Sequence, residues 1–212
     1  MRIAALYDVH ANLPALHAVL AEVPADATIV LGGDHVYGPF PDETLGRLRA
    51  LGDRAVWLRG NTDREQRELG GGSASHDVLE WVGARLSAED VAFLHGLPPA
   101  FELDGILFCH ATPRNDVDRF DVGTAEEEVA PWFAGVEAAT VVCGHTHRQF
   151  ERTIAGRRVV NAGSVGMPHE GEPGAYWALL DDGAVSFRRT AYDAAPLAGA
   201  AGYPRPWWDA GA

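Results

Sequence analysis

Apolar residues near the start of the chain fall in short blocks, and a polar cluster closes each block. Ile3-Ala4-Ala5-Leu6-Tyr7 shows no alternation, as expected of a strand buried on both faces. Leu16, Val19, Leu20 and Val23 then recur at helical spacing, with Asn12 as a cap and Pro14 suited to the first turn. Thr28-Ile29-Val30-Leu31 predicts a second strand, Leu45, Leu48 and Leu51 a second helix, and Ala55-Val56-Trp57-Leu58 a third strand. Strands alternating with helices imply a parallel sheet covered by helices. Between residues 63 and 97 the pattern changes. Gly70-Gly71-Gly72-Ser73 reads as a flexible break, after which Val78/Leu79/Val82/Leu86 and Val91/Leu94 mark two helices. Ser87 and Asp90 supply a capping box for the second. This segment is expected to be a helical insertion.

The second half reads as hairpins. Asp104-Gly105 separates runs 101–103 and 106–109, Ala155-Gly156 separates two more β-like runs, and Asp182-Gly183 separates 176–180 from 185–187. Thr124 and Glu127 predict a capped helix running toward Trp132, and Thr140-Val141-Val142-Cys143 a strand. A parallel half followed by an antiparallel half suggests two packed sheets with helices outside. The tail, 191–212, is rich in Gly, Ala and Pro but carries Trp207-Trp208, whose apolar bulk is expected to pack on this subunit or a partner. A homo-oligomer is one way to cover them.

Composition narrows the field. The chain has 212 residues, 47% hydrophobic and 22% charged, which suits one globular domain and excludes disordered, collagen-like and coiled-coil chains. Its net charge of -13 argues against long nucleic acid and anionic lipid as partners. A small phosphorylated substrate remains compatible, because a bound metal can dominate the local field. Two cysteines make no disulfide framework, and the early Asp8 interrupts any signal peptide. No membrane segment is expected, and the predicted location is cytoplasmic.

The polar clusters carry the chemistry. Asp8 and His10 follow the first apolar run, Gly33-Asp34 the second, Gly60-Asn61-Thr62-Asp63 the third, His110 follows Cys109, and Gly144-His145-Thr146-His147 follows Cys143. Each cluster would sit at the carboxyl end of a strand, where open α/β sheets bind ligands. Asp, His and Asn suit Mn²⁺, Fe or Zn²⁺ without thiolates. Seven such groups exceed the needs of one tetrahedral ion and suit two ions sharing a bridging carboxylate. In Asp8-x-His10 and His145-x-His147 an extended chain would point both members the same way.

In this order the motifs resemble those of the calcineurin-like metallophosphoesterases, in their small bacterial phosphodiesterase branch. Asn161-Ala162-Gly163-Ser164-Val165-Gly166 adds a further resemblance, so that the match spans residues 8 to 166. It implies an α/β fold, a four-layer α-β-β-α sandwich of two mixed sheets flanked by helices. It also implies one domain over 1–212, with the insertion at 63–97. Asp8, His10 and His147 would hold one metal, and Asn61, His110 and His145 a second, with Asp34 bridging. The cofactors would be two divalent ions, Mn²⁺ foremost, with Fe, Ni²⁺ or Zn²⁺ as alternatives. A metal-bridging hydroxide would attack phosphorus, with Asn61 and His110 as catalytic residues. The substrate would be a phosphodiester of a small molecule or nucleotide. A phosphomonoesterase, a protein phosphatase or a non-catalytic scaffold are the rival readings.

One position departs from the family. Many relatives carry a leaving-group acid, His, where this chain has Thr62, whose hydroxyl is a poor acid. Asn61, Arg114 and His169 are candidate substrate contacts. For Arg114, closing a loop over the site competes with that role, and for His169 a solvated loop position. Asp63 and His35 are expected to support the site without ligating. Cys109 and Cys143 are expected to be small buried strand residues.

Overall fold

A computed structural model describes residues 1–68, 74–200 and 202–204. Gly70 to Ser73 and Trp207-Trp208 lie outside the described residues. The elements are β1 (Arg2–Leu6), α1 (Leu13–Glu22), β2 (Thr28–Leu31), α2 (Pro41–Arg49) and β3 (Ala55–Trp57). Three helices follow, α3 (Asn61–Glu68), α4 (His76–Gly83) and α5 (Ala88–Gly96). Then come β4 (Ala100–Leu103), β5 (Ile106–Cys109), α6 (Glu126–Val129), β6 (Thr140–Cys143), β7 (Phe150–Ile154), β8 (Arg157–Asn161), β9 (Ala175–Asp181) and β10 (Ala184–Thr190).

These strands make two five-stranded mixed sheets, ordered β10-β9-β1-β2-β3 and β4-β5-β6-β8-β7. β1, β2 and β3 run parallel, as do β5, β6 and β8. The antiparallel pairings involve β9 and β10 in the first sheet, and β4 and β7 at the edges of the second. The two halves of the chain therefore do not each make one sheet. The last hairpin returns to lie beside β1, in the sheet begun by the first residues.

Alternation along each strand explains the layers. Ile3, Ala5 and Tyr7 face the second sheet and meet Phe108, Val142 and Val160. Ala4 and Leu6 face the other way and pack with Leu16 and Val19 of α1 and Trp177 of β9. On the far face of the second sheet, Val141, Cys143 and Val159 meet Phe120, Val129 and Phe133. The result is the four-layer sandwich, with apolar contact on both faces of both sheets. Tyr7 crosses the central layer and donates its hydroxyl to the Val142 carbonyl at 3.0 Å.

Local signals behave as their chemistry dictates. Asn12 accepts from the Ala15 amide at 3.1 Å, and Ser87 and Asp90 form a capping box. Asp104-Gly105, Ala155-Gly156 and Asp182-Gly183 all take positive φ at both positions, the geometry of tight hairpin turns. Two expectations need correction. Thr124 caps no helix: its hydroxyl pairs with Asp121 and α6 begins after Ala125 without a side-chain cap. And α3 starts at Asn61, ahead of the expected insertion, in the sequence NTDREQRE with no apolar residue. Its inner face is polar, with Asn61, Thr62, Asp63, Glu65 and Gln66 buried. Among the described residues no helix is long and apolar enough to cross a membrane.

Candidate metal centre

Every cluster read from the sequence arrives at the same seam, where the carboxyl ends of the parallel strands of both sheets meet. The Asp8 amide donates to Gly33 and the His10 amide to Asp34, joining the loops after β1 and β2. The Gly144 amide donates to His110, joining the loops after β5 and β6. Asp8 Oδ2 accepts from the His145 amide at 2.8 Å and so ties one sheet to the other. Ser164 Oγ and the Gly166 amide both donate to the Asp8 carbonyl, which gives the Asn-Gly-Ser segment a bracing role. Asn161 adds a bond from Nδ2 to the Gly144 carbonyl at 2.7 Å.

The side chains converge into two buried trios. Asp8, His10 and His147 offer ligand atoms within 4.8 Å of one another, and so do Asp34, His110 and His145. Asp34 lies between the trios: Oδ2 is 3.7 Å from His10 Nε2, and Oδ1 is 3.6 Å from His110 Nε2. Asn61 Oδ1 lies 3.2 Å from His110 Nε2. All seven are buried. The convergence does not come from extended chain. Asp8, His10, Asp34, His145 and His147 all have φ between 49° and 67°, a left-handed conformation that side chains other than glycine seldom adopt. Such backbone strain concentrates at functional sites.

Tautomers follow from the partners. His10 Nδ1 faces the Tyr37 carbonyl at 3.1 Å and His110 Nδ1 faces the Gly32 carbonyl at 2.8 Å, so both Nδ1 atoms carry the proton. Both Nε2 atoms then present lone pairs to the seam. His10 Nε2 lies 3.1 Å from His147 Nε2, and His110 Nε2 lies 3.2 Å from His145 Nδ1. Asp8 Oδ1 is buried with no hydrogen-bond donor. An orphaned carboxylate oxygen among imidazole lone pairs is stabilised by a cation, so the donor set fits divalent ions.

Interactions among the protein groups alone separate the two carboxylates of the site. Burial disfavours the charge on Asp8, but His147, His110 and His10 outweigh it and hold this group well below the usual range. Burial pushes Asp34 up to about 7, with Asp8 and Asp63 adding to the rise against the pull of His110. His10 is pushed down to about 3, mainly by burial and then by His147. His145 is likewise pushed down to about 3, by burial and then by His110. His110 is raised, because Asp34 and Asp8 overcome its own burial.

Supporting residues are placed as follows. Asp63 accepts from the amides of Gly60, Asp34 and His35, which fixes the loops that carry Asn61 and Asp34. His35 turns away and meets Trp57 edge-on, with ring centroids 5.0 Å apart. Glycine is required at position 60: a Cβ there would lie 2.1 Å from Asp34 Oδ1. Cys109 and Cys143 are buried in the outer core of the second sheet, and burial pushes the Cys109 thiol up to about 12. Thr62 Oγ is buried without a partner. His169 packs on His147, with ring centroids 4.9 Å apart, and its amide donates to the His147 carbonyl. Arg114 belongs elsewhere: it pairs with Asp118, lies over the Trp132 ring and lines a groove with Glu102 and Glu137.

One residue escaped the sequence reading. Glu65 is fully buried, and its Oε1 accepts from Asn61 Nδ2 at 3.2 Å, which turns Asn61 Oδ1 toward His110. Its i+4 spacing from Asn61 was the available signal, hidden in a helix with no apolar face.

Comparison with known proteins agrees with this geometry. The calcineurin-like phosphoesterase superfamily domain matches residues 1–182. A metallophosphoesterase from Sphaerobacter thermophilus superposes with a TM-score of 0.81 at 27% identity, over 94% of this chain and 92% of the other. A hypothetical protein from Pyrococcus horikoshii gives a TM-score of 0.82 at 20% identity, over 93% and 91% of the two chains. An uncharacterized protein from Methanocaldococcus jannaschii is 26% identical over 221 residues, 90% of this chain and 88% of the relative.

Proposed function

Because this chain belongs to the calcineurin-like phosphoesterase superfamily, we propose that it hydrolyses a phosphodiester of a small molecule or nucleotide with the help of two divalent ions, Mn²⁺ foremost. The observation that carries this reading is the pair of buried trios with Asp34 between them. Asp8, His10 and His147 would hold one ion, Asn61, His110 and His145 the other, and Asp34 both. When bound, such ions lower the pKa of a water and draw off the charge that develops on the phosphoryl oxygens. The chain's own part is preorganisation. The Tyr37 and Gly32 carbonyls fix the His10 and His110 tautomers, and Glu65 fixes the Asn61 amide.

One feature favours a diester with a good leaving group: Thr62 leaves the position of a leaving-group acid with an unpartnered hydroxyl. A cytoplasmic location is part of the same proposal.

The test is hydrolysis of bis- and mono-p-nitrophenyl phosphate with Mn²⁺, beside Asp34→Asn. Turnover of the diester above the monoester is expected. Asp34→Asn should lose ion binding and activity together, and a fully active variant would refute the assignment. Thr62 also favours a second reading, a non-catalytic scaffold. Two bound equivalents of Mn²⁺ without hydrolysis of either ester would establish it.

A further inference from the structure

A second feature adjoins the metal centre on the side of the second sheet. It is a cleft of about 290 Å³ lined by Arg119, Asp121, Thr124, Thr146, Arg148 and His169. Two of these residues belong to the seam itself. Thr146 lies between His145 and His147 and receives a bond from Asn161 Nδ2 at 3.0 Å. His169 packs on His147. The cleft therefore opens beside the ions' ligands and is not a remote surface hollow.

Its charge runs against the rest of the molecule. In a chain of net charge -13, two guanidinium groups line one small cleft. Arg148 uses Nε on the His169 carbonyl at 3.1 Å and makes no ion pair with a carboxylate among the described residues. Arg119 makes no hydrogen bond or ion pair among the described residues, and it lines the cleft together with Thr146 and His169. Of the other arginines, Arg2, Arg49, Arg64, Arg114, Arg158 and Arg189 have carboxylate partners, and Arg54, Arg59, Arg85, Arg152 and Arg157 donate to backbone carbonyls. The one acid of the cleft, Asp121, accepts at Oδ1 from the Gly123 and Thr124 amides at 2.8 and 3.0 Å and feels the charge of Arg148, which leaves two cations against one anion in the cleft.

We propose that this cleft is a specificity subsite, in which Arg119 and Arg148 receive a second phosphate of the substrate, distal to the ester that is cleaved. This deepens the phosphoesterase reading and rests on it. A phosphate has three free oxygens and can accept from both guanidinium groups at once, whereas a carboxylate is satisfied by one bidentate fork. The volume falls just below the range of small-molecule sites, about 300–1,000 Å³, which suits one such group with part of its carrier and not a polymer. The substrate class that follows is a small diester bearing a further phosphate monoester.

The experiment compares two esters with one scissile bond, thymidine 5′-(p-nitrophenyl phosphate) with and without a 3′-phosphate, on the Mn²⁺-loaded full chain. The ratio of their kcat/KM values should favour the 3′-phosphate. In Arg119→Ala that ratio should fall about tenfold, the scale of one charge-assisted hydrogen bond. Arg119→Lys should recover part of it, and Arg188→Ala, on exposed β10, should leave it unchanged. A wild-type ratio near one, or the same ratio in Arg119→Ala, overturns the proposal. Calorimetry of thymidine 3′,5′-bisphosphate against thymidine 5′-monophosphate gives a reading independent of turnover. If neither ester is hydrolysed but Arg119 still governs binding of the bisphosphate, the phosphoesterase reading fails and the subsite stands. If binding shows no preference for the second phosphate, the subsite fails.

Discussion

Asp8 and Asp34 are the same side chain at the same depth, yet their neighbours set them apart. The imidazoles around Asp8 keep it ionised, while burial holds a proton on Asp34 up to about 7. His10 and His145, pushed down to about 3, are already neutral and ligand-ready near pH 7. Ion uptake must therefore displace a proton from Asp34, and none from His10 or His145. We expect apparent Mn²⁺ affinity to weaken as the pH falls below about 7, with about one proton released per loaded centre. Calorimetry in buffers of different ionisation heat measures this number, and no release at pH 6 would contradict it. The seven candidate donors could be read from the sequence because each closes an apolar run. Their tautomers could not, because those depend on the carbonyls of Tyr37 and Gly32, which no local pattern brings near.

Among the elements, those with an apolar face were legible and the one without was not. β1, β2, α1 and the hairpins announced themselves by periodicity and by paired turn residues. α3 carries no apolar residue, and its buried face exists only because Asp63, Glu65 and Gln66 find partners across the fold. The loops after the strands were legible as motifs but not as shapes, since their left-handed φ values arise from the packing around them. Glycines test this difference between element and loop. Gly46 sits in α2, and a methyl added there would meet nothing within 4 Å, so Gly46→Ala should stabilise by about 0.5–1 kcal/mol. Gly60→Ala drives a methyl into Asp34 and should abolish ion binding, although Gly60 offers no ligand atom. Denaturant titration and Mn²⁺ calorimetry on both variants check the pair. A Gly60→Ala protein that binds Mn²⁺ normally would show that the loop is not fixed as described.

For the whole molecule, the centre is also a clasp between the sheets, because Asp8, His10 and Asp34 follow strands of the first and His110, His145 and His147 strands of the second. At a hundredfold excess over Kd, ions that bind only the folded state add about 2.7 kcal/mol. Chelation should then lower Tm by roughly 5–10 °C at this chain length. The pH dependence of the chelated protein follows from opposing signs. His10 and His145 are depressed, so their share of stability is lost as the pH falls from 6.5 toward 3. Asp34 and His110 are raised and bind a proton more tightly when folded, which offsets much of that loss. Asp8 and Asp116 are depressed, and their share, present above about 3.8, disappears below it. Stability should therefore decline gently from pH 6.5 to 4 and steeply below. A chelated protein whose Tm stays level down to pH 3 would rule this out. The return of β9 to the flank of β1 has a consequence for the order of synthesis. By residue 147 a nascent chain has made every candidate donor, yet β1, which leads into Asp8 and His10, keeps one bare edge until residues 175–181 emerge from the ribosome. That strand of the first sheet thus waits for one of the last two, and a message cut short between those points encodes a full complement of ligands on an unfinished frame.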